Sequence, residues 1–261
     1  MDSKTYTLIT GASGGIGYDL ALLAAADGRN LILTARSASK LEQLAALIRK
    51  GSKSEVVLIP ADLSEEAGVN KLISEINEKN LLIDTLVNNA GFGDFGDFGK
   101  AELSKSMDMI RLNISALTQL THFALQSMLT AGRGRILNVA STAAFMPGPG
   151  MAVYYASKAY VLSFSEAITR EVKGSGVTIT TLCPGPTDTG FAVSAGLGKS
   201  LLHHFLPAAT SMQVAKAGYK AMKKGKAIEI PGFMNKFSTL TPRFSPRSLV
   251  RNMIYSIHKN H

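Results

Sequence analysis

Hydrophobic and polar positions change period repeatedly along the first two-thirds of the chain. Short runs rich in β-branched residues and leucine read as strands, and they alternate with longer stretches whose apolar residues recur at helical spacing. The strand candidates are residues 5–10, 30–34, 55–60, 85–88, 134–140 and 177–183. The helices predicted between them cover 17–27, 39–50, 65–79, 104–130 and 154–173. This alternation predicts βαβ units, hence a parallel sheet covered by helices on both faces. Ile136-Leu137-Asn138-Val139-Ala140 is almost continuously apolar, as a strand buried on both faces requires. The Pro/Gly-rich pieces 146–150 and 184–190 directly follow strands, where ligand loops of such sheets lie, so no domain linker is expected. The fold class expected is α/β, a doubly wound parallel sheet in one domain over residues 1–261.

Composition agrees with a large folded core, since 46% of the 261 residues are hydrophobic and only 18% are charged. The first residues run straight into a strand-like segment, without the longer apolar stretch and cleavage site of a signal peptide, which suggests a cytoplasmic protein. Charged residues or glycine interrupt every apolar run before the roughly 18 residues needed to span a membrane. Cys183 is the single cysteine, so an internal disulfide and a cysteine-based metal cluster are both excluded, and no metal is expected.

Chemistry enters at Thr10-Gly11-Ala12-Ser13-Gly14-Gly15-Ile16-Gly17, between the first strand and the first helix. Glycines there allow a tight turn and close approach to a pyrophosphate, and they let a helix N-terminus aim its free N–H groups at the anion. Strand before and helix after supply the context of a Rossmann-type dinucleotide site, with Gly11, Ser13, Gly14, Gly15, Ile16 and Gly17 as cofactor contacts. The same residues fit the G-x-S-x-G elbow of a hydrolase, but Ser13 follows the very first strand, which argues against it. After the second strand an acid would accept bonds from a ribose 2′-hydroxyl, and a cation would bind a 2′-phosphate. Arg36 stands there with Ser37 beside it, which points to NADP(H), although an arginine at a strand end is also a common surface residue. Asp62 and Leu63 are placed to border the adenine, and Asn89, Ala90 and Gly91 either contact the adenosine ribose or shape the turn.

Tyr154 and Lys158, four apart on a predicted helix, share one face. A phenol near its ordinary pKa of about 10 is a weak base, but a neighbouring ammonium and an oxidised nicotinamide both favour phenolate, which would bring Tyr154 toward the catalytic range. Tyr155 is adjacent, yet only Tyr154 has a lysine at the fourth position along. These motifs, with Asn88-Asn89-Ala90-Gly91, Asn113, Ser141 and Pro184-Gly185, fall in order across roughly residues 5–190 and closely resemble the classical short-chain dehydrogenase/reductase family. Within it, Ala35-Arg36 is similar to the NADP(H)-preferring branch, and the chain looks like bacterial members.

The resemblance implies an oxidoreductase moving a hydride between NADP(H) and a carbonyl or secondary-alcohol substrate. In it Tyr154 is the general acid/base, Lys158 bonds the nicotinamide ribose, Ser141 holds the substrate oxygen and Asn113 supports a proton-relay water. It further implies that Pro184, Gly185 and Thr187 pass over the nicotinamide, that a substrate lid occupies about 190–206, and that the protein forms a homodimer or homotetramer. Phe92, Phe95, Phe98, Phe145, Met146, Met151 and Phe191 suggest an apolar pocket. A regulator that binds NADP without catalysis would be expected to lack part of this constellation, and every member is present.

Charge adds one question. Residues 1–198 hold 17 Lys/Arg against 18 Asp/Glu, and residues 199–261 hold 11 against the single Glu229, so the net +9 is entirely C-terminal. No nucleic-acid recognition module accompanies it, so nucleic acid is not an expected partner. The segment 207–261 ends in a pattern with apolar residues at 249, 250, 253, 254 and 257, helical in period. It reads either as a terminal helix docked on the body, with its charges in water, or as a positive surface for acyl-thioester or lipid-like substrates at an anionic or membrane surface.

Overall fold

The computed structural model describes residues 4–191, 195–196 and 208–259. Strands β1 (Thr5–Thr10), β2 (Asn30–Thr34), β3 (Val56–Leu58), β4 (Leu82–Asn88), β5 (Gly134–Val139) and β6 (Val177–Leu182) form where the β-branched runs predict them. Helices α1 (Gly15–Ala26), α2 (Ala38–Gly51), α3 (Glu66–Glu78), α4 (Leu103–Ile110), α5 (Leu117–Thr130) and α6 (Ala152–Glu171) fill the intervals. Beyond them come the two-residue strands β7 (Thr187–Asp188) and β8 (Ala209–Thr210), helix α7 (Ser211–Lys223), strand β9 (Ile228–Glu229), and helices α8 (Phe233–Phe244) and α9 (Arg247–Lys259).

The main sheet is seven-stranded and parallel, in the order β3-β2-β1-β4-β5-β6-β9. Successive side chains of a strand point to opposite faces, so each inner strand feeds two cores. On β2, Leu31 and Leu33 pack with Leu20 of α1, Leu41 and Leu44 of α2 and Val214 of α7. Ile32 between them joins Leu72 of α3, Leu120 of α5 and Ile168 of α6 on the other side. The strand order changes direction between β1 and β4, where the loops leaving the carboxyl ends part and open a crevice.

The elements depart from the expected ones at several points, among them β3, which covers Val56–Leu58 where the sequence predicts 55–60. Helix α1 begins at Gly15, so the last residues of the glycine-rich turn are its first turn. The single helix expected over 104–130 is divided into α4 and α5 by a π-helical segment, Arg111–Ala116, which adds a residue to the turn and re-aims its side chains. The seventh strand, β9, has only Ile228 and Glu229 paired to β6, too short for a periodic signal.

Candidate active site

The glycine-rich turn is shaped by contact with the segment after β4. Gly11 has φ +66°, and a Cβ on it would lie 2.9 Å from Ala90 Cα. On Gly17 a Cβ would lie 2.3 Å from Asn89 Nδ2 and 2.5 Å from the Gly11 carbonyl oxygen. Thr10 Oγ1 accepts from the backbone N–H groups of Asn89 and Ala90, both at 3.0 Å, while Asn89 Nδ2 donates to the carbonyls of Thr10 and Gly11 at 3.0 and 3.2 Å. Of the two roles open to Asn89, shaping the turn is the one the hydrogen bonds show. Gly14 differs, since nothing lies within 4 Å of where its Cβ would be. Helix α1 has no side-chain cap. This open glycine before an uncapped N-terminus fits a pyrophosphate, which would accept from the free N–H groups.

A cleft of about 920 Å³ starts at this turn and runs along the carboxyl edge of the sheet. On the side of β2 and β3 it is lined by Arg36, Ser37, Lys40, Asp62 and Leu63. The Arg36 side chain is 80% exposed, and its Nη1 is 4.0 Å from Asp62 Oδ2, so this exposed pair leaves the guanidinium available. Ser37 caps α2, its Oγ accepting from Lys40 N–H at 3.4 Å. Asp62 Oδ1 is engaged by the backbone N–H and hydroxyl of Ser64, at 2.9 and 2.6 Å. Lys40, unnoticed in the sequence, adds a second cation one helical turn beyond Arg36.

On the side of β5 and β6 the cleft is lined by Ser141, Tyr154, Lys158, Pro184, Gly185 and Thr187, with Asn89, Ala90 and Gly91 between the two sides. Tyr154 and Lys158 lie on the buried face of α6, with Lys158 Nζ 5.8 Å from the Tyr154 ring centroid. Lys158 Nζ donates to the Val139 carbonyl at 2.9 Å. Ser141 Oγ accepts from Ala143 N–H at 3.1 Å, and Thr187 Oγ1 donates to the Gly185 carbonyl at 2.9 Å. Burial pushes the Tyr154 phenol up to about 12, and the Ser141 hydrogen bond offsets only part of the rise. Burial also pulls Lys158 down to about 8. Loss of water around the phenolate thus acts on Tyr154 in the direction opposite to the lowering expected from Lys158 and an oxidised nicotinamide.

Two expected site residues stand behind the cleft wall. Gly17 packs against Asn89, as described, and Asn113 is buried in the π segment. Asn113 Nδ2 donates to the Phe92 carbonyl and to Ser157 Oγ, both at 3.0 Å, and its Oδ1 accepts from Phe92 N–H at 3.2 Å. Ser157 Oγ in turn donates to the Tyr154 carbonyl at 2.7 Å. Asn113 thus ties the loop after β4 to the helix carrying Tyr154.

Of the suggested pocket residues, Phe92, Met146, Met151 and Phe191 line the cleft, and Phe95, Phe98 and Phe145 do not. Sequence reasoning missed Tyr155 and the wall built by the C-terminal helices, where Val250, Ile254, Ile257 and His258 face the cleft. His258 Nδ1 lies 2.5 Å from the Pro149 carbonyl oxygen, and its ring packs edge-on against Phe95 and Tyr155. The only signal was the apolar stripe of 249–257, which gave no destination. Most of the expected lid, 190–206, lies outside the described residues. Among the described residues no cluster could hold a metal ion, and no helix is long and apolar enough to cross a membrane.

Known proteins resemble this chain in sequence and in fold. The short chain dehydrogenase family profile matches residues 5–199. A ketoacyl reductase, HetN, of Nostoc is 32% identical over 217 residues, covering 83% of this chain and 74% of that protein. Sulfoacetaldehyde reductase 2 of Chromohalobacter salexigens is 35% identical over 188 residues, covering 71% and 74%. A short-chain dehydrogenase from Sphingobium yanoikuyae, solved in complex with NADPH, superposes with a TM-score of 0.81 at 29% identity, covering 92% of this chain and 93% of that one. A glycine turn opening α1, a cleft along the carboxyl edge of a doubly wound sheet, and a match over most of the chain agree in placing this protein in the short-chain dehydrogenase family of oxidoreductases, which use a nicotinamide dinucleotide.

Proposed function

We propose that this protein is an NADP(H)-dependent carbonyl reductase, able to run in reverse as a secondary-alcohol dehydrogenase, with Tyr154 as its general acid/base. The observation that carries the reading is one cleft with Arg36, Lys40 and the open glycine turn on one side and Tyr154, Ser141 and Lys158 on the other. The reduced cofactor, when bound, supplies the hydride. Tyr154, held protonated by burial, donates the proton at Oη to the carbonyl oxygen. Ser141 Oγ, fixed by the Ala143 N–H, holds the same oxygen. Lys158, anchored on the Val139 carbonyl, keeps its remaining N–H groups for the nicotinamide ribose, and Asn113 positions Tyr154 through Ser157. Phe92, Met146, Met151, Tyr155 and Phe191 support an apolar carbonyl substrate. The test is a screen of ketones, aldehydes and acyl-thioesters with NADPH, read as cofactor oxidation. Tight NADPH binding with no turnover on any of them would favour a non-catalytic nucleotide-binding protein.

Two further outcomes are expected. Arg36→Ala removes a charge-assisted bond to the 2′-phosphate, worth about 1.5–3 kcal/mol, so the preference for NADPH over NADH should fall about ten-fold or more. Equal binding of the two cofactors by the wild type would refute the assignment. As pH rises through about 8, Lys158 loses its charge. The reductive kcat/KM should therefore be level below about pH 7 and fall about ten-fold per unit above that pKa. A profile that stays level two units higher would remove the Lys158 ammonium from the mechanism.

A further inference from the structure

Helix α8 turns its apolar side outward. Phe233, Phe237, Leu240 and Phe244 recur along one helical face and are 81%, 59%, 50% and 87% exposed. The inward face is polar: Thr239 is buried, Asn235 and Ser238 are partly so, and all three donate to carbonyls of the same local segment, Pro231, Asn235 and Lys236, at 2.7–2.9 Å. A helix packed on a domain in water has the opposite arrangement. Helix α9 buries Val250, Ile254 and His258, yet its Leu249 and Met253 are more than half exposed while lining the cleft. They stand at the rim of the cleft, which α8 also lines through Ser238, Thr241 and Pro242.

The charge carried by these two helices has one sign. Lys236, Arg243, Arg247, Arg251 and Lys259 are exposed on the same two helices, and no acidic residue follows Glu229. A second copy docked face to face would set these cations against themselves, because an isologous contact pairs a patch with its own image. A neutral apolar partner would leave them without counter-charges. Aromatic side chains flanked by Lys and Arg suit the boundary of an anionic bilayer, where the rings enter the acyl region and the cations meet headgroups.

We propose that the α8–α9 face docks this protein on an anionic lipid bilayer, with the mouth of the cleft opening toward the membrane. Entry of an apolar carbonyl substrate from the bilayer rests on the reductase reading; the docking does not, and its test involves no turnover. The full chain would be floated with vesicles of phosphatidylcholine alone, or with about one-third phosphatidylglycerol, at low and high salt. Binding to the mixed vesicles should exceed binding to phosphatidylcholine at least ten-fold and weaken with salt, since each cation near such a surface contributes about five-fold. Arg247→Glu with Arg251→Glu should abolish the preference for anionic vesicles. Phe237→Ser with Phe244→Ser, at exposed positions, should melt like the wild type and lose at least ten-fold in binding. Wild-type protein that does not float with the mixed vesicles, or that binds both kinds equally, overturns the proposal. So does binding that survives the phenylalanine changes, or a dimer that those changes dissociate while vesicle binding persists, which would assign the face to a second copy.

Discussion

Replacing Tyr154 by Phe should lower kcat for carbonyl reduction by about 10²–10⁴-fold, the usual range for a positioned general acid, and leave NADPH affinity within about two-fold. The substitution removes one oxygen from a side chain only 9% exposed. The ring keeps its contacts with Phe191 and Tyr155, at centroid distances of 5.2 and 6.1 Å. Lys158 keeps its own anchor on Val139, which does not involve the phenol. The lost hydroxyl is the group that burial holds protonated near the Ser141 oxygen, so proton donation is lost with little disturbance of the fold. Steady-state turnover beside a fluorescence titration of NADPH separates the two effects. More than a tenth of wild-type kcat in Tyr154→Phe would end the assignment.

The other large effect is structural. Gly17→Ala should destabilise the protein by about 3–5 kcal/mol, from overpacking plus the loss of two hydrogen bonds, and should cost most of the dinucleotide affinity. The new methyl group would meet Asn89 Nδ2 at 2.3 Å and the Gly11 carbonyl oxygen at 2.5 Å. Neither can withdraw freely: Asn89 holds the carbonyls of Thr10 and Gly11, and Gly11 sits at a positive φ hard against Ala90. For a chain of this size the melting temperature should drop roughly 10 °C. Gly14→Ala is the control, because its Cβ meets nothing within 4 Å and its φ of 179° suits any residue. It should melt within about 2 °C of wild type and still weaken the cofactor, as a methyl group would stand where the pyrophosphate approaches. Equal melting of the two variants would contradict this packing account.

The local signals worked where one short segment carried the whole pattern. Leu31-Ile32-Leu33 is apolar throughout because it serves two cores, so β2 was legible without knowing its neighbours. The glycine turn was legible because strand, turn and helix are contiguous, and the four-residue spacing of Tyr154 and Lys158 followed from helical geometry alone. β9 was not legible, because so short an edge strand exists only through pairing such as the bonds that Thr181 and Cys183 N–H donate to the carbonyls of Ala227 and Glu229. Nor was the π segment, which coincides with bonds between Asn113 and a loop 21 positions away.

By itself, then, the sequence determined the alternating α/β order, the dinucleotide turn and the pairing of Tyr154 with Lys158, all consequences of backbone period and nearest-neighbour chemistry. Only the tertiary structure decided that Gly17 and Asn113 lie behind the cleft wall, that α9 lines the far side of the cleft, and that burial favours the protonated form of Tyr154. Those outcomes depend on which distant segments exclude water from a side chain, and burial of that kind is set by the packing of the whole chain.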